Sequence, residues 1–183
     1  MAVMNIREKY NTEVAPALVK AFGFKNKHAL PRVEKIVVHV GIGKDVKDAK
    51  SLETATETLR RITGQQPVKA LAKKSISNFK IRAGMIVGLK VTLRGQRMND
   101  FLTKLIHVAL PRVRDFRGLS DTIVDRTGNA TIGFREHLVF PEIRSDEVER
   151  IHGLEVTIQT SAASKAEGVA LLKGLGVPFK NDN

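Results

Sequence analysis

The chain has 183 residues, 42% of them apolar, which suffices for one domain with a buried core. Its 31 Lys and Arg against 19 Asp and Glu give a net charge of +12, which favours nucleic acid or an anionic surface as partner. Cysteine is absent, which excludes a disulfide framework, a Cys-based zinc site and a thiol nucleophile; no run has the length of a transmembrane helix, and Asn5 and Glu8 stand where a signal peptide needs apolar residues.

In chain order, Val3, Ile6, Tyr10, Val14, Leu18 and Ala21 recur at helical spacing, so residues from about 4 to 22 read as an amphipathic helix. Pro16 should kink it or break it near Thr12, and Gly23 reads as its cap. From Arg32 a strand follows, with Ile36, Val38 and Val40 on one face and Lys35, Val37 and His39 on the other. Leu52, Ala55, Leu59 and Ile62 mark a second helix, stopped by Gly64. Two strands come next, from Pro67 and from Ile86. The second sets Val87, Leu89, Val91 and Leu93 against Lys90, Thr92 and Arg94. The segment between them is too long and too polar for a tight turn and reads as a projecting basic loop at about 73–84. Met98, Phe101, Leu102, Leu105 and Ile106 form a third helix ended by Pro111. A basic loop with Arg112, Arg114 and Arg117 leads into TIVDRTGNATIGF, which reads as a hairpin turning at Gly128 and Asn129. Leu154, Val156 and Ile158 alternate with Glu155, Thr157 and Gln159 in a last strand. Ser164 and Glu167 form a capping-box pattern before a final helix that ends near Gly174–Gly176. The expected fold is a single α+β domain over 1–183, a mostly antiparallel sheet with helices on one face and a polar, RNA-facing surface on the other.

Charge is unevenly spread. From Thr58 to Asn99 there are 42 residues, ten of them Lys or Arg and none acidic. Random placement of the acids would spare a given window of this length roughly one time in a hundred. The stretch is rich in strand-forming apolar residues, so it should fold into a basic surface rather than remain a tail. With eight Phe, one Tyr and no Trp, stacking platforms are few, and phosphate and sugar contacts should dominate.

Other motifs read as structure. Gly41–Lys44 (GIGK) lacks the spacing of a phosphate-binding loop, and Asp45 stands where Ser or Thr is needed, so it reads as a turn. His28, His39, His107, His137 and His152 show no metal-ligand spacing, and His107 reads as helix surface. Asp121, Asp125, Glu136 and Glu142 are spaced in no way that requires a metal. There is no nucleophile elbow. An enzyme reading has no positive support, although a nuclease or a DNA-compacting protein would carry similar charge.

The segment LRRITGQQPVKALAKKSISNFKIRAGMIVGLKVTLRG resembles the central signature of the large-subunit ribosomal protein five family, which binds 5S ribosomal RNA. LPRVEKIVVHVGIG, FRGLSD…GNATIGFREHLVFPEI and LEVTIQTSA…ALLKGLGVPF are similar to its other blocks, in the same order and across essentially the whole chain. The resemblance implies a non-enzymatic cytoplasmic protein of the large subunit, with no cofactor, metal, small-molecule substrate or membrane. It implies 5S RNA contact from His39, Gln65 and Thr92, with Lys35, Lys90 and Arg94 on the same polar surface. His39 departs from the family pattern, which has Asn there, and a histidine has a different donor geometry. The resemblance further implies that the loop with Lys73, Lys74, Ser75, Phe79, Lys80 and Arg82 reaches P-site transfer RNA. Arg112 and Arg114, or the acidic turn of Asp146, Glu147 and Glu149, become candidates for a bridge to small-subunit head protein thirteen. Large-subunit ribosomal RNA is the remaining partner implied.

Overall fold

The computed structural model describes residues 5–43, 49–144 and 151–180. Five strands form one antiparallel sheet in the order β2-β3-β1-β5-β4: β1 is Val33–Gly41, β2 Val68–Leu71, β3 Ile86–Leu93, β4 Ala130–Phe134 and β5 Leu154–Thr160. The alternation read from sequence holds except at Val87, which is half-buried and lies at a shift of register. Ile36, Val38 and Val40 of β1, Leu89, Val91 and Leu93 of β3, and Leu154, Val156 and Ile158 of β5 are all buried. The α+β architecture is the one expected.

The chain divides into two compact units. The first comprises Met1–Ile36, Leu93–Ile132 and Thr157–Asn183. Its helices are α1 (Ile6–Lys9), α2 (Ala15–Phe22), α4 (Gly95–Lys104) and α5 (Lys165–Leu175). Helix α1 packs on α4, and α2 on α5. Between α1 and α2 the helix widens to π-helical geometry at Tyr10–Val14, and the Ala15 N–H reaches back to Tyr10 O. This is the break expected near Thr12. Pro16 has no N–H for the Thr12 carbonyl, and the wider turn absorbs the mismatch. The same device recurs at the end of α4. A π-helical turn at Leu105–Ala109 closes with the Leu110 N–H on Leu105 O, and Pro111 follows inside the turn Leu110–Arg112. In both places the proline stands two residues past the widened segment.

The hairpin expected around Gly128 forms only in part. Its second arm becomes β4, whereas its first holds a 3₁₀ turn at Asp121–Ile123 and a single bridge from Val124 to Ala130. Local side-chain bonds take the place of a ladder. Asp125 Oδ1 accepts from the Thr127 N–H at 2.9 Å and the Asn129 N–H at 2.8 Å. Helix α5 starts with Ser164 accepting from the Glu167 N–H, but the Glu167 carboxylate accepts from Ala163 N–H rather than from that of Ser164. The reciprocal half of the capping box is thus shifted by one residue.

The second unit comprises Val37–Thr92 and Gly133–Val156. It holds helix α3 (Ala49–Thr63), which buries Ala55, Leu59 and Ile62. Gly64, at φ +65°, ends it, with its N–H on Arg60 O at 2.8 Å. Phe134 and Phe140 meet edge to face with centroids 5.8 Å apart.

Gly168 is the tightest glycine of the first unit. A Cβ there would lie 2.5 Å from Gly128 Cα and Gly128 O, both backbone atoms that cannot swing away. Gly168→Ala should lower stability by about 1–3 kcal/mol in chemical denaturation. Gly133→Ala, where a Cβ meets nothing within 4 Å, should stay within about 0.5 kcal/mol of the parent. Equal stability of the two variants would contradict this packing.

Candidate nucleic-acid interface

In the second unit the interface is built on the pairing of β2 with β3. Val68 faces Lys90, Lys69 faces Leu89 and Ala70 faces Gly88. Directly paired residues share a face, so Val68, Ala70, Gly88, Lys90 and Thr92 lie on one side of the pair. The register then shifts between Ala70 and Leu71, with Leu71 opposite Ile86 and Val87 skipped. On β1, His39 lies on the polar side of the strand and is exposed. Its Nε2 would be 3.0 Å from a Cβ on Gly88, and Val40 O 2.8 Å from it. The imidazole therefore occupies the space that Gly88 leaves by having no side chain.

Gln65 follows α3, held by a turn in which its N–H donates to Thr63 Oγ1 at 3.3 Å, while the Thr63 hydroxyl is 2.6 Å from Leu59 O. From there Gln65 Nε2 donates to Thr92 O at 3.3 Å. The fold thus brings together Gln65 and Thr92, 27 residues apart, as neighbouring half-exposed polar groups. Lys90 is exposed beside them. Arg60 and Arg61, at the start of the acid-free stretch, share the one carboxylate of Glu57 just before it, at 3.0 and 3.1 Å. The hydrogen bond from Arg61 leads in holding the Glu57 carboxyl below its ordinary range.

Two expected members belong to the first unit. Arg94, exposed, is the N-cap residue of α4, and its guanidinium donates to Glu34 O at 3.4 Å. Lys35, next to Glu34, is half-exposed.

The segment between β2 and β3 is an ordered finger. Ala72 and Met85 close its base at 2.8 Å, Ile76 and Ile81 exchange backbone bonds at 2.9 and 3.1 Å, and Ser75 Oγ accepts from Ala83 N–H at 3.0 Å. At its tip a 3₁₀ turn, Ser77–Phe79, is followed by Lys80 in left-handed conformation at φ +54°. Phe79 is 72% exposed, and Lys73, Lys74, Lys80 and Arg82 are exposed with it.

The candidate bridge residues Arg112 and Arg114 are exposed in the loop after α4. Its far end is fixed where Gly118, at φ +91°, passes beneath Phe179 and Leu119 bonds Pro178 O at 2.8 Å. Asp146, Glu147 and Glu149 lie outside the described residues, as do Lys44 and Asp45 of the GIGK turn. Gly43 there is left-handed, at φ +51°. Among the described residues, no group of three or more His, Cys, Asp or Glu is placed to hold a metal.

Comparison with known proteins decides the family. Residues 26–82 match ribosomal protein L5, and residues 86–179 match the C-terminus of the same ribosomal protein family. The chain belongs to the ribosomal protein L5 family. It is 57% identical over 175 residues to a large ribosomal subunit protein uL5 of Symbiobacterium thermophilum, covering 96% of this chain and 97% of that one. With its counterpart from Chloroflexus aurantiacus it shares 52% identity over 97% of this chain and 99% of the relative. The counterpart from Leuconostoc mesenteroides is also 52% identical, over 95% and 97%. The L5 family is a structural, non-enzymatic one.

Sequence reasoning missed Gly88, for which a glycine on the polar face of an alternating strand was the available signal. It also missed a histidine pair. His137 and His152 stand 15 residues apart and share no periodic pattern, yet their rings stack at 4.1 Å with 15° between planes. His137 is fully buried in a 3₁₀ turn, not in a strand. The backbones take part as well: His137 N–H donates to His152 O at 3.1 Å, and His152 N–H donates to the His137 ring at Nδ1, at 3.3 Å. Burial, and then the neighbouring His137 ring, hold the His152 pKa below its ordinary value.

The unfolded chain therefore takes up the His152 proton first as pH falls. The His152 contribution to stability is complete above the ordinary histidine value of about 6.5 and is lost as pH drops below it toward the folded pKa. Denaturation midpoints measured from pH 7.5 to 5.5 should decline more steeply in the parent than in His152→Phe, which keeps a stacked ring without the titration. Parallel profiles would show that the pair does not report on pH.

Proposed function

We propose that this L5-family chain is a constituent of the large ribosomal subunit, acts as a single RNA-binding domain and binds 5S ribosomal RNA in the central protuberance. The observation that carries this reading is the bond from Gln65 to Thr92 O beside Lys90, all three within the 42-residue stretch without an acid, with His39 of β1 packed against Gly88 of the same stretch. Half-exposed hydroxyl and amide groups on a rigid sheet orient on sugar and phosphate, while surrounding cations supply affinity. Lys35 and Arg94 add cationic contacts. The resemblance in sequence and the family match support 5S RNA as the target. The exposed finger of Lys73, Lys74, Ser75, Phe79, Lys80 and Arg82 reaches P-site transfer RNA. Large-subunit RNA is a further partner. Arg112 and Arg114, or the acidic Asp146, Glu147 and Glu149, meet small-subunit head protein thirteen, the acidic turn by attraction to a basic partner.

Thr92→Ala and Gln65→Ala should each weaken 5S RNA binding by about 1 kcal/mol, roughly fivefold. Filter binding at near-physiological salt, with unchanged circular dichroism, checks this. If both variants bind as tightly as the parent, the contact face lies elsewhere. Charge reversal at Lys73, Lys74, Lys80 and Arg82 should impair P-site transfer RNA placement on assembled ribosomes and leave 5S RNA binding intact. A collapse of 5S binding would assign the finger to the wrong RNA.

A further inference from the structure

The acid-free stretch has a smaller counterpart in the first unit. Between Glu13 and Glu34 lie 20 residues with four Lys or Arg and no acid. Within them Val19 and Phe22, one turn apart on α2, are each 38% exposed. Gly23, left-handed at φ +68°, ends the helix with its N–H on Val19 O at 2.9 Å and turns the chain back. That turn sets the Phe24 ring against Phe22, with centroids 6.1 Å apart and planes at 47°. Asn26 then fixes the next turn, its side-chain oxygen accepting from His28 N–H at 2.9 Å. Lys20, Lys25 and Lys27 are exposed around the pair, and none meets a carboxylate among the described residues.

An aromatic pair at the surface, Phe22 exposed and Phe24 half-buried, is unusual in a chain with only nine aromatic side chains. Phe101, Phe134 and Phe140 serve the cores. A pair left at the surface, held by two capped turns and flanked by lysines alone, has the make-up of a single-strand site: rings for base faces and ammonium groups for the adjoining phosphates. Duplex RNA hides its base faces, so the ligand is an unpaired segment. We propose that Phe22 and Phe24, with Lys20, Lys25 and Lys27, form a second RNA-binding surface that stacks unpaired bases. It uses none of the residues assigned to 5S RNA and does not depend on that assignment.

Fluorescence anisotropy with a labelled oligouridine dodecamer tests it, using the full chain. The double variant Phe22→Leu, Phe24→Leu keeps apolar bulk and removes the π faces. It should lose about fivefold in oligouridine affinity while keeping its thermal midpoint and its 5S RNA affinity. Tyrosine at both positions should restore the parent value. Lys25→Gln with Lys27→Gln should reduce the salt slope by about one to two units. The proposal is overturned if the parent does not bind oligouridine, if the leucine variant binds it as the parent does, or if oligouridine and 5S RNA are lost in parallel. Weakening of 5S RNA by Thr92→Ala with no change on oligouridine separates the two surfaces. A parent that prefers neither RNA over the other would sink the sheet-face reading alone.

Discussion

The antiparallel register of β2 on β3 is the constraint from which the interface follows. With Val68 opposite Lys90 and Ala70 opposite Gly88, one face of the pair carries a cation, a hydroxyl and a glycine covered by His39, and the other buries Leu89, Val91 and Leu93. A slip of one residue would exchange the two sets, bringing Lys90 and Thr92 inward. The irregularity after Ala70 adds to this. It ends the regular pairing where the strands must diverge into the finger, and bulges of this kind bend a strand at the margin of a sheet. The cationic finger and the polar face are therefore two consequences of one pairing.

Electrostatics then sort the cations by what they can offer. Arg60 and Arg61 are held by Glu57 on the surface of α3, and exposed pairs at helical spacing contribute little to stability. Their cost is to availability rather than stability, since a phosphate would have to compete with the carboxylate. The finger residues and Lys90 sit in a segment with no acid of its own, so their charge is offered undiminished to a polyanion. Rigidity matters equally. A finger closed by backbone bonds at its base and middle loses less conformational entropy on binding than a free loop of that length would.

Much of this was legible in the sequence because periodicity and local chemistry carried it. The three alternating strands, the break caused by Pro16 and the glycine stops after α2 and α3 each rest on residues within one turn or one strand. What was not legible depends on distance or on competition. TIVDRTGNATIGF has the composition of a hairpin, but Asp125 captures the Thr127 and Asn129 amides and leaves the first arm with one bridge. His137 and His152 meet because two separate loops are joined by the bond from His137 N–H to His152 O and by the bond from His152 N–H to the His137 ring. On the candidate site, Lys90 and Thr92 followed from alternation, whereas the bond joining Gln65 to Thr92 needed the turn after α3.

Gly88 shows why residue identity at the site cannot be read one position at a time. Its missing side chain is filled by the His39 imidazole, whose Nε2 sits 3.0 Å from where a Cβ would be. A methyl at position 88 would also press on Val40 O at 2.8 Å, a backbone atom fixed by the sheet, so the strand spacing itself resists any larger residue. Histidine at 39 is thus sterically licensed by glycine at 88: the ring, though exposed, can bring Nε2 against the neighbouring strand. Asparagine, shorter by one ring, would present its amide without needing that space.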